Sequence, residues 1–319
     1  MKKHKRIWGM LAGSVVLLLA MLGTYILQKP EQNIEKAEVC AAEAEIIGTR
    51  IVEKTKPRAE EQIKEIGLSY IERYGLEHVD KPEERDDEQV LQRIAELAEQ
   101  YELVKQINEQ PELYSMEMLK NLANNPEMAA YVIGSVDADG SVYGGFTEEE
   151  LAEKYPLLLQ FDPRWGYFEY GGKEMGLSGC GPTCLAMVIL ALTDYEDVTP
   201  DKIAQYSTDK KYYVEGVGTA WKLMDDVPPL YGLAVEHTAI KEKSMKAELD
   251  KGNILICSVR KGVFTSEGHF VVIYGYDETG FLVNDPKCVA RSRKTWQFSE
   301  FGNQLKRIWS IGAENKKNG

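Results

Sequence analysis

Histidine is scarce in this chain, and the scarcity narrows its chemistry. Only His4, His78, His237 and His269 occur among 319 residues. No pair of them stands at metal-ligand spacing beside the cysteines, so neither a metal nor another cofactor is expected. Cysteines number five, an odd count at spacings that fit no disulfide framework. Cys180 and Cys184 stand one helical turn apart, where a bridge would need awkward geometry. No internal repeat or low-complexity tract is present. Basic charge is outweighed, with 38 Lys and Arg against 51 Asp and Glu and a formal net charge of −13. That balance argues against nucleic acid or anionic lipid as a ligand.

One long apolar run stands out. After Lys2, Lys3, His4, Lys5 and Arg6, residues 7–27 carry no charge, which matches the ~20 residues a helix needs to span a bilayer. The basic flank places the start in the cytoplasm and the remainder outside. A cleaved signal peptide would have a shorter apolar region, of ~7–15 residues, and a small-residue cleavage site. The expectation is therefore a single-pass membrane protein with residues 1–28 as tip and anchor. Cys40 lacks the apolar residues that precede a lipid-modified cysteine.

From 29 to 110 the chain is rich in Glu, Lys, Gln, Arg and Ala. Ile63, Ile66, Tyr70 and Tyr74 recur at helical spacing, as do Val90, Ile94, Leu97, Tyr101 and Val104, which predicts amphipathic helices. They form either a charged stalk or helices packed on the catalytic domain; the stalk is the functional expectation. A smaller helical module is expected over 111–152, with Pro126 at a helix start. The catalytic domain is expected over 153–313, then a tail over 314–319. Oligomeric state is not legible.

The chain is organised around Gly179-Cys180-Gly181-Pro182-Thr183-Cys184, which runs into an apolar helix. Pro182 suits the first helical turn, where its missing N–H costs nothing. A helix apolar on every side must be buried. Cys180 then sits at the helix entrance, where unpaired backbone donors and the macrodipole favour a thiolate. The competing reading treats both cysteines as small core residues.

A thiolate needs a base. His269 opens the run Phe270-Val271-Val272-Ile273-Tyr274, which reads as a buried strand, so its imidazole stands at a sheet rim with a fixed backbone. His237 reads as a surface residue at a strand end. An acid should orient the imidazole, and a hairpin through Asp277-Glu278-Thr279-Gly280 returns Asp285 toward His269. Pairing Tyr276 with Phe281 sets His269 opposite Cys288 in a perfect ladder, with Asp285 on the other face. A bulge or a departing loop is needed, and Asn284 is the alternative orienter. Oxyanion donors would be the Cys180 backbone N–H and the side-chain amide of Gln160. The strands at 254–259, 269–274, 281–284 and 307–311 predict an antiparallel sheet packed by helices, an α+β fold. Trp165, Trp221 and Tyr213 are either groove-lining or core.

Gln160-Phe161-Asp162-Pro163-Arg164-Trp165, Gly179-Cys180-Gly181-Pro182-Thr183, Gly268-His269-Phe270 and Asn284-Asp285-Pro286, in that order, resemble the papain-like cysteine peptidases related to the bacteriocin-processing (double-glycine leader) peptidases. The closer resemblance is to the stand-alone branch found in Gram-positive bacteria, and it spans about residues 157–311. It implies a papain-like fold with Cys180 as nucleophile, His269 as general base and acid, Asp285 as orienter and Gln160 in the oxyanion hole. The expected function is an extracytoplasmic cysteine peptidase acting on a peptide or protein substrate through an acyl-enzyme. A transglutaminase-like acyl transferase, a hydrolase of cell-wall peptides and a binding module without turnover are the alternatives.

Overall fold

Six antiparallel strands form the main sheet: β1 (Leu233–His237), β2 (Ile254–Val259), β3 (His269–Tyr276), β4 (Phe281–Asn284), β5 (Thr295–Trp296) and β6 (Leu305–Ala313). Their order is β1-β6-β2-β3-β4-β5. The computed structural model describes residues 69–216 and 218–314. The expected membrane segment at 7–27, Cys40, and the helix positions Ile63 and Ile66 lie outside the described residues. Among the described residues no helix is long and apolar enough to cross a membrane.

Strand β2 is buried at every position. Its unbroken Ile254-Leu255-Ile256-Cys257 run reflects cover on both faces, since alternation appears only where one face meets water. One face carries Leu255, Cys257, Val259, Val271, Ile273, Phe281 and Val283 in a cluster with Met245.

Five longer helices come first in the chain: α1 (Asp87–Ala98), α2 (Glu102–Glu109), α3 (Met116–Asn124), α4 (Ala129–Gly134) and α5 (Cys180–Leu192). They are followed by α6 (Pro200–Asp209) and α7 (Glu242–Leu249), and Met245 of α7 supplies the cover just described. Helix α5 is buried from Gly181 to Ile189. It packs against β3 and α6. An interior helix has no solvent face to mark with charge, which is why its sequence shows no amphipathic stripe.

The stretch expected to stand clear as a stalk behaves otherwise over its described part. Helix α1 starts at a capping box, with Asp86 accepting from the Gln89 amide and Gln89 reaching back, a device that satisfies two orphan donors. Its apolar stripe, Val90, Ile94 and Leu97, joins Val104 and Ile107 of α2, Leu119 and Leu122 of α3, and Tyr131 and Val132 of α4 in one core. Leu159, Phe161 and Val289 belong to the same core. Helices α1 to α4 are therefore a module seated on the half of the chain that carries the sheet. Periodicity reveals the apolar stripe; what covers it depends on residues far along the chain.

Candidate active site

Cys180 is the first residue of α5 and is partly exposed. Gly181 lets the Thr219 side chain come close: a Cβ there would lie 2.8 Å from Thr219 Cγ2. Thr219 is fixed in turn by Tyr170, whose hydroxyl also meets Ser207. The helix mouth thus packs against Thr219, which pairs with Tyr213 in a short antiparallel hairpin. Cys184, one turn on, is fully buried, and burial pushes its thiol well up, which makes it an inert core cysteine. The free cysteines among the described residues are Cys180, Cys184, Cys257 and Cys288, so no bridge joins 180 to 184.

His269 opens β3 and is buried. Its ring lies against the Cys180 thiol, and the two shift one another. Burial opposes ionisation of Cys180, but hydrogen bonding and charge from His269, the Phe270 amide and the Lys287 ammonium outweigh it and hold the thiol below its ordinary value. Burial disfavours a charged imidazole too. The Asp285 carboxylate and the facing thiolate outweigh it and raise the His269 pKa. The result is a pair biased toward thiolate and imidazolium.

Asp285 completes the line. Its Oδ1 is 2.7 Å from His269 Nε2, so the other ring nitrogen is left for the sulfur. The hairpin geometry that the sequence leaves open is settled by a bulge. Tyr276 pairs with Phe281 and Gly275 with Leu282, then the register shifts so that Ile273 meets Val283 and Val272 meets Asn284. The shift moves Asp285 to the side of the ladder shared by Val271 and His269. Asn284, the alternative orienter, is turned away. Its Nδ2 donates to the carbonyls of Tyr155 and Pro156 at 3.1 and 3.0 Å.

Asp285 is fully buried and carries more partners than the imidazole. Its Oδ2 accepts from Arg291 Nε at 2.7 Å, its Oδ1 also accepts from the Lys287 amide at 2.9 Å, and its own amide donates to Ser292 Oγ at 2.8 Å. Burial pushes its carboxyl up, but the charges of Arg291 and His269 prevail and bring it to about 2. Sequence reasoning misses Arg291 and Lys287. Both come after a turn-forming Asp-Pro in a stretch with no periodicity, so no local signal marks them. Burial lowers the Lys287 amine while the Cys180 thiolate opposes that shift.

Gln160 lies in the same neighbourhood but is engaged. Its Nε2 donates to the Gly176 carbonyl at 2.7 Å, four residues ahead of Cys180, and its backbone N–H donates to the Pro286 carbonyl at 2.8 Å. Gln160 Oε1 is buried without a partner. The other candidates fall outside the site. His78 is exposed beside Asp80, and His237 is exposed, 2.9 Å from Asp225. Trp165 is core, with its indole donating to the Leu159 carbonyl. Trp221 is exposed beside Lys306 and Arg307, and Tyr213 packs edge-on to Tyr170. No group of residues able to hold a metal ion occurs among the described residues.

The arrangement can carry out acyl chemistry: an accessible thiolate at a helix mouth, an imidazole that can take and return a proton, and an acid that fixes the ring. The family model described as "Peptidase_C39 like family" matches residues 152–312. Among solved structures, the peptidase domain of Streptococcus ComA, a bi-functional ABC transporter involved in a quorum sensing pathway, is 17% identical with a TM-score of 0.36. The match covers 50% of this chain and 99% of that domain. No curated protein matches.

Proposed function

The chain belongs to the Peptidase_C39 like family, and on that premise we propose that it is a cysteine peptidase of papain-like fold, hydrolysing peptide amide bonds through Cys180, His269 and Asp285. The observation that carries the proposal is the buried His269 imidazole set between the partly exposed Cys180 and the buried Asp285, with His269 Nε2 turned to Asp285 at 2.7 Å.

In the first half-reaction the Cys180 thiolate attacks the scissile carbonyl carbon, and the C=O electron pair moves onto oxygen. Donors for that oxyanion are the Cys180 backbone N–H and the Gln160 amide hydrogen not given to Gly176. His269 gives its proton to the amine nitrogen, the C–N bond breaks, and the thioester remains. Water then attacks the thioester carbonyl while His269 takes its proton. The C–S bond breaks, releasing the acid and restoring thiolate and imidazolium. Asp285 holds the ring and compensates its charge at each stage.

Membrane attachment through residues 7–27, with the catalytic half outside the cytoplasm, belongs to the same proposal and rests on the charge-free run beside Lys2, Lys3, Lys5 and Arg6. A peptide library, with products read by mass spectrometry, tests the activity. Wild type is expected to cleave, Cys184→Ala to cleave comparably, and Cys180→Ala to lose about 10⁴-fold or more, the scale seen when a nucleophile is removed. Cleavage retained in Cys180→Ala overturns the proposal. Added primary amine reads the transfer alternative in the same assay: conjugates in place of free acid would make the enzyme an acyl transferase.

A further inference from the structure

The segment bearing the proposed acid is gripped by a turn from the helical module. Asn125, Pro126 and Glu127 link α3 to α4, and Asn125 and Glu127 are 1% and 2% exposed, although both are polar. Glu127 uses both carboxylate oxygens. Oε2 accepts from the Val289 amide at 2.7 Å, and Oε1 from the amides of Ala290 at 3.0 Å and Leu76 at 2.9 Å. Asn125 Nδ2 donates to the Lys287 carbonyl at 2.5 Å, and its Oδ1 accepts from the Glu127 amide at 3.1 Å.

Val289 and Ala290 open the short helical turn Val289–Ser292. Orphan amides at such a start need acceptors, and buried ones must have them. Just beyond them, the same turn supplies Arg291 and Ser292, the partners of Asp285 Oδ2 and of the Asp285 amide. A line of hydrogen bonds therefore runs from Glu127, through the first amides of the turn, to the carboxylate that aligns His269. Both acceptor oxygens come from the helical module and none from the catalytic half.

We infer that Glu127, seconded by Asn125, is a positioning residue of the active site: the helical module holds the Asp285-Ser292 segment in the form that orients His269. The inference rests on the peptidase reading above. A buried carboxylate binding three backbone amides is a costly arrangement to keep for packing alone. Here it faces the segment that carries Asp285, whose placement sets the orientation of the His269 ring. Support of this kind around a reacting group is worth on the order of 10- to 100-fold when removed.

The test uses the full chain and measures the rate of Cys180 alkylation by iodoacetamide against pH, in a Cys184→Ala background, beside peptide hydrolysis. Glu127→Gln places an amide N–H₂ against a backbone donor. It is expected to move the midpoint of the alkylation curve upward, to slow alkylation at neutral pH about tenfold, and to lower kcat with little change in KM. Asn125→Ala, which removes the bond to the Lys287 carbonyl and the acceptor of the Glu127 amide but leaves the Glu127 carboxylate in place, is expected to shift the midpoint the same way by less, and serves if Glu127→Gln does not fold. Leu122→Ala weakens the same module without removing a hydrogen bond to the segment. Measured where circular dichroism shows it folded, it should keep the wild-type midpoint.

A wild-type midpoint in both Glu127→Gln and Asn125→Ala, or an equal shift in Leu122→Ala, overturns the inference and leaves the peptidase reading standing. A wild-type Cys180 that titrates like a free thiol, near ~8.5, removes the reading and the inference together.

Discussion

Arg291 Nε lies 2.7 Å from Asp285 Oδ2, on the carboxylate oxygen that His269 leaves free. Asp285 thus sits between two cationic partners in a fully buried position. A carboxylate facing the imidazole alone would gain protons on burial; the guanidinium on its far side keeps it charged. The proposed Cys-His-Asp line therefore extends one group further, into a turn that no motif marks.

Replacing that guanidinium tests its weight. Arg291→Met leaves Asp285 buried with half its compensation, and breaking one side of such a pair costs about 3 kcal/mol or more of stability. Urea denaturation should read that loss. Peptide hydrolysis measured well below the new midpoint should also fall, because a neutral Asp285 no longer favours imidazolium. Arg291→Lys keeps the charge without the planar fork and should recover part of both; a Met variant as stable and as active as wild type would count against the arrangement.

The pH profile follows from the signs of the shifts. Cys180 lies below its ordinary value and His269 above its own. Hydrolysis needs thiolate with imidazolium, so it should rise as pH climbs through the lowered thiol pKa and fall as it passes the raised imidazole pKa. A bell-shaped kcat/KM curve is expected, with alkylation of Cys180 rising at the same acid limb. A profile climbing monotonically to the pKa of a free thiol would contradict the pairing.

Stability should respond to acid through Asp285. Its folded pKa, about 2, is depressed below the ~3.9 of an unfolded aspartate. The contribution is fully present above that unfolded value and is lost as pH falls from about 4 toward 2. Thermal melting of wild type and Asp285→Asn across that range should converge at the acid end; an unchanging gap would show that the carboxylate charge is not what stabilises the segment.

Gly181→Ala should separate activity from folding. The new Cβ would meet Thr219 at 2.8 to 2.9 Å, closer than packed atoms sit, so the helix mouth or the hairpin must move. A displacement of that size near a reacting sulfur costs on the order of 10²-fold in rate, whereas overpacking costs about 1–3 kcal/mol. Thr219→Ser, which deletes the nearest of the three crowding atoms and leaves Cβ and Oγ1, should restore part of the activity when combined with it. Full activity in Gly181→Ala alone would show that the contact is slack.

The module's seating on the catalytic half is open to the same treatment. Ile94 is fully buried in the shared core, and Ile94→Ala should cost about 2–5 kcal/mol. Unfolding monitored by tryptophan fluorescence, which reports Trp165 and Trp309 in the catalytic half, should shift by as much as unfolding monitored by far-ultraviolet circular dichroism. Two separate transitions, with only one displaced, would mean that the module folds apart.

Local chemistry marks much of the site without coordinates. A cysteine between glycines at the mouth of an apolar helix, and a histidine opening a β-branched run, are placed by helix and strand periodicity, which depends only on near neighbours. The antiparallel pairing of Tyr276 with Phe281 is implied by a turn of four residues. Near neighbours along the chain are therefore enough to mark Cys180, His269 and the strand that His269 opens. The remainder needed the folded molecule. The bulge near Tyr274 depends on how β3 and β4 pack, and it sets which residue faces the imidazole. Arg291, Lys287 and Glu127 acquire their roles from burial and from partners up to 163 residues away. The apolar stripe of α1 says that a partner must exist without saying which. Charges and hydrogen-bond donors gain their meaning from what they face in a low-dielectric interior, and that is fixed by long-range packing, not by spacing along the chain.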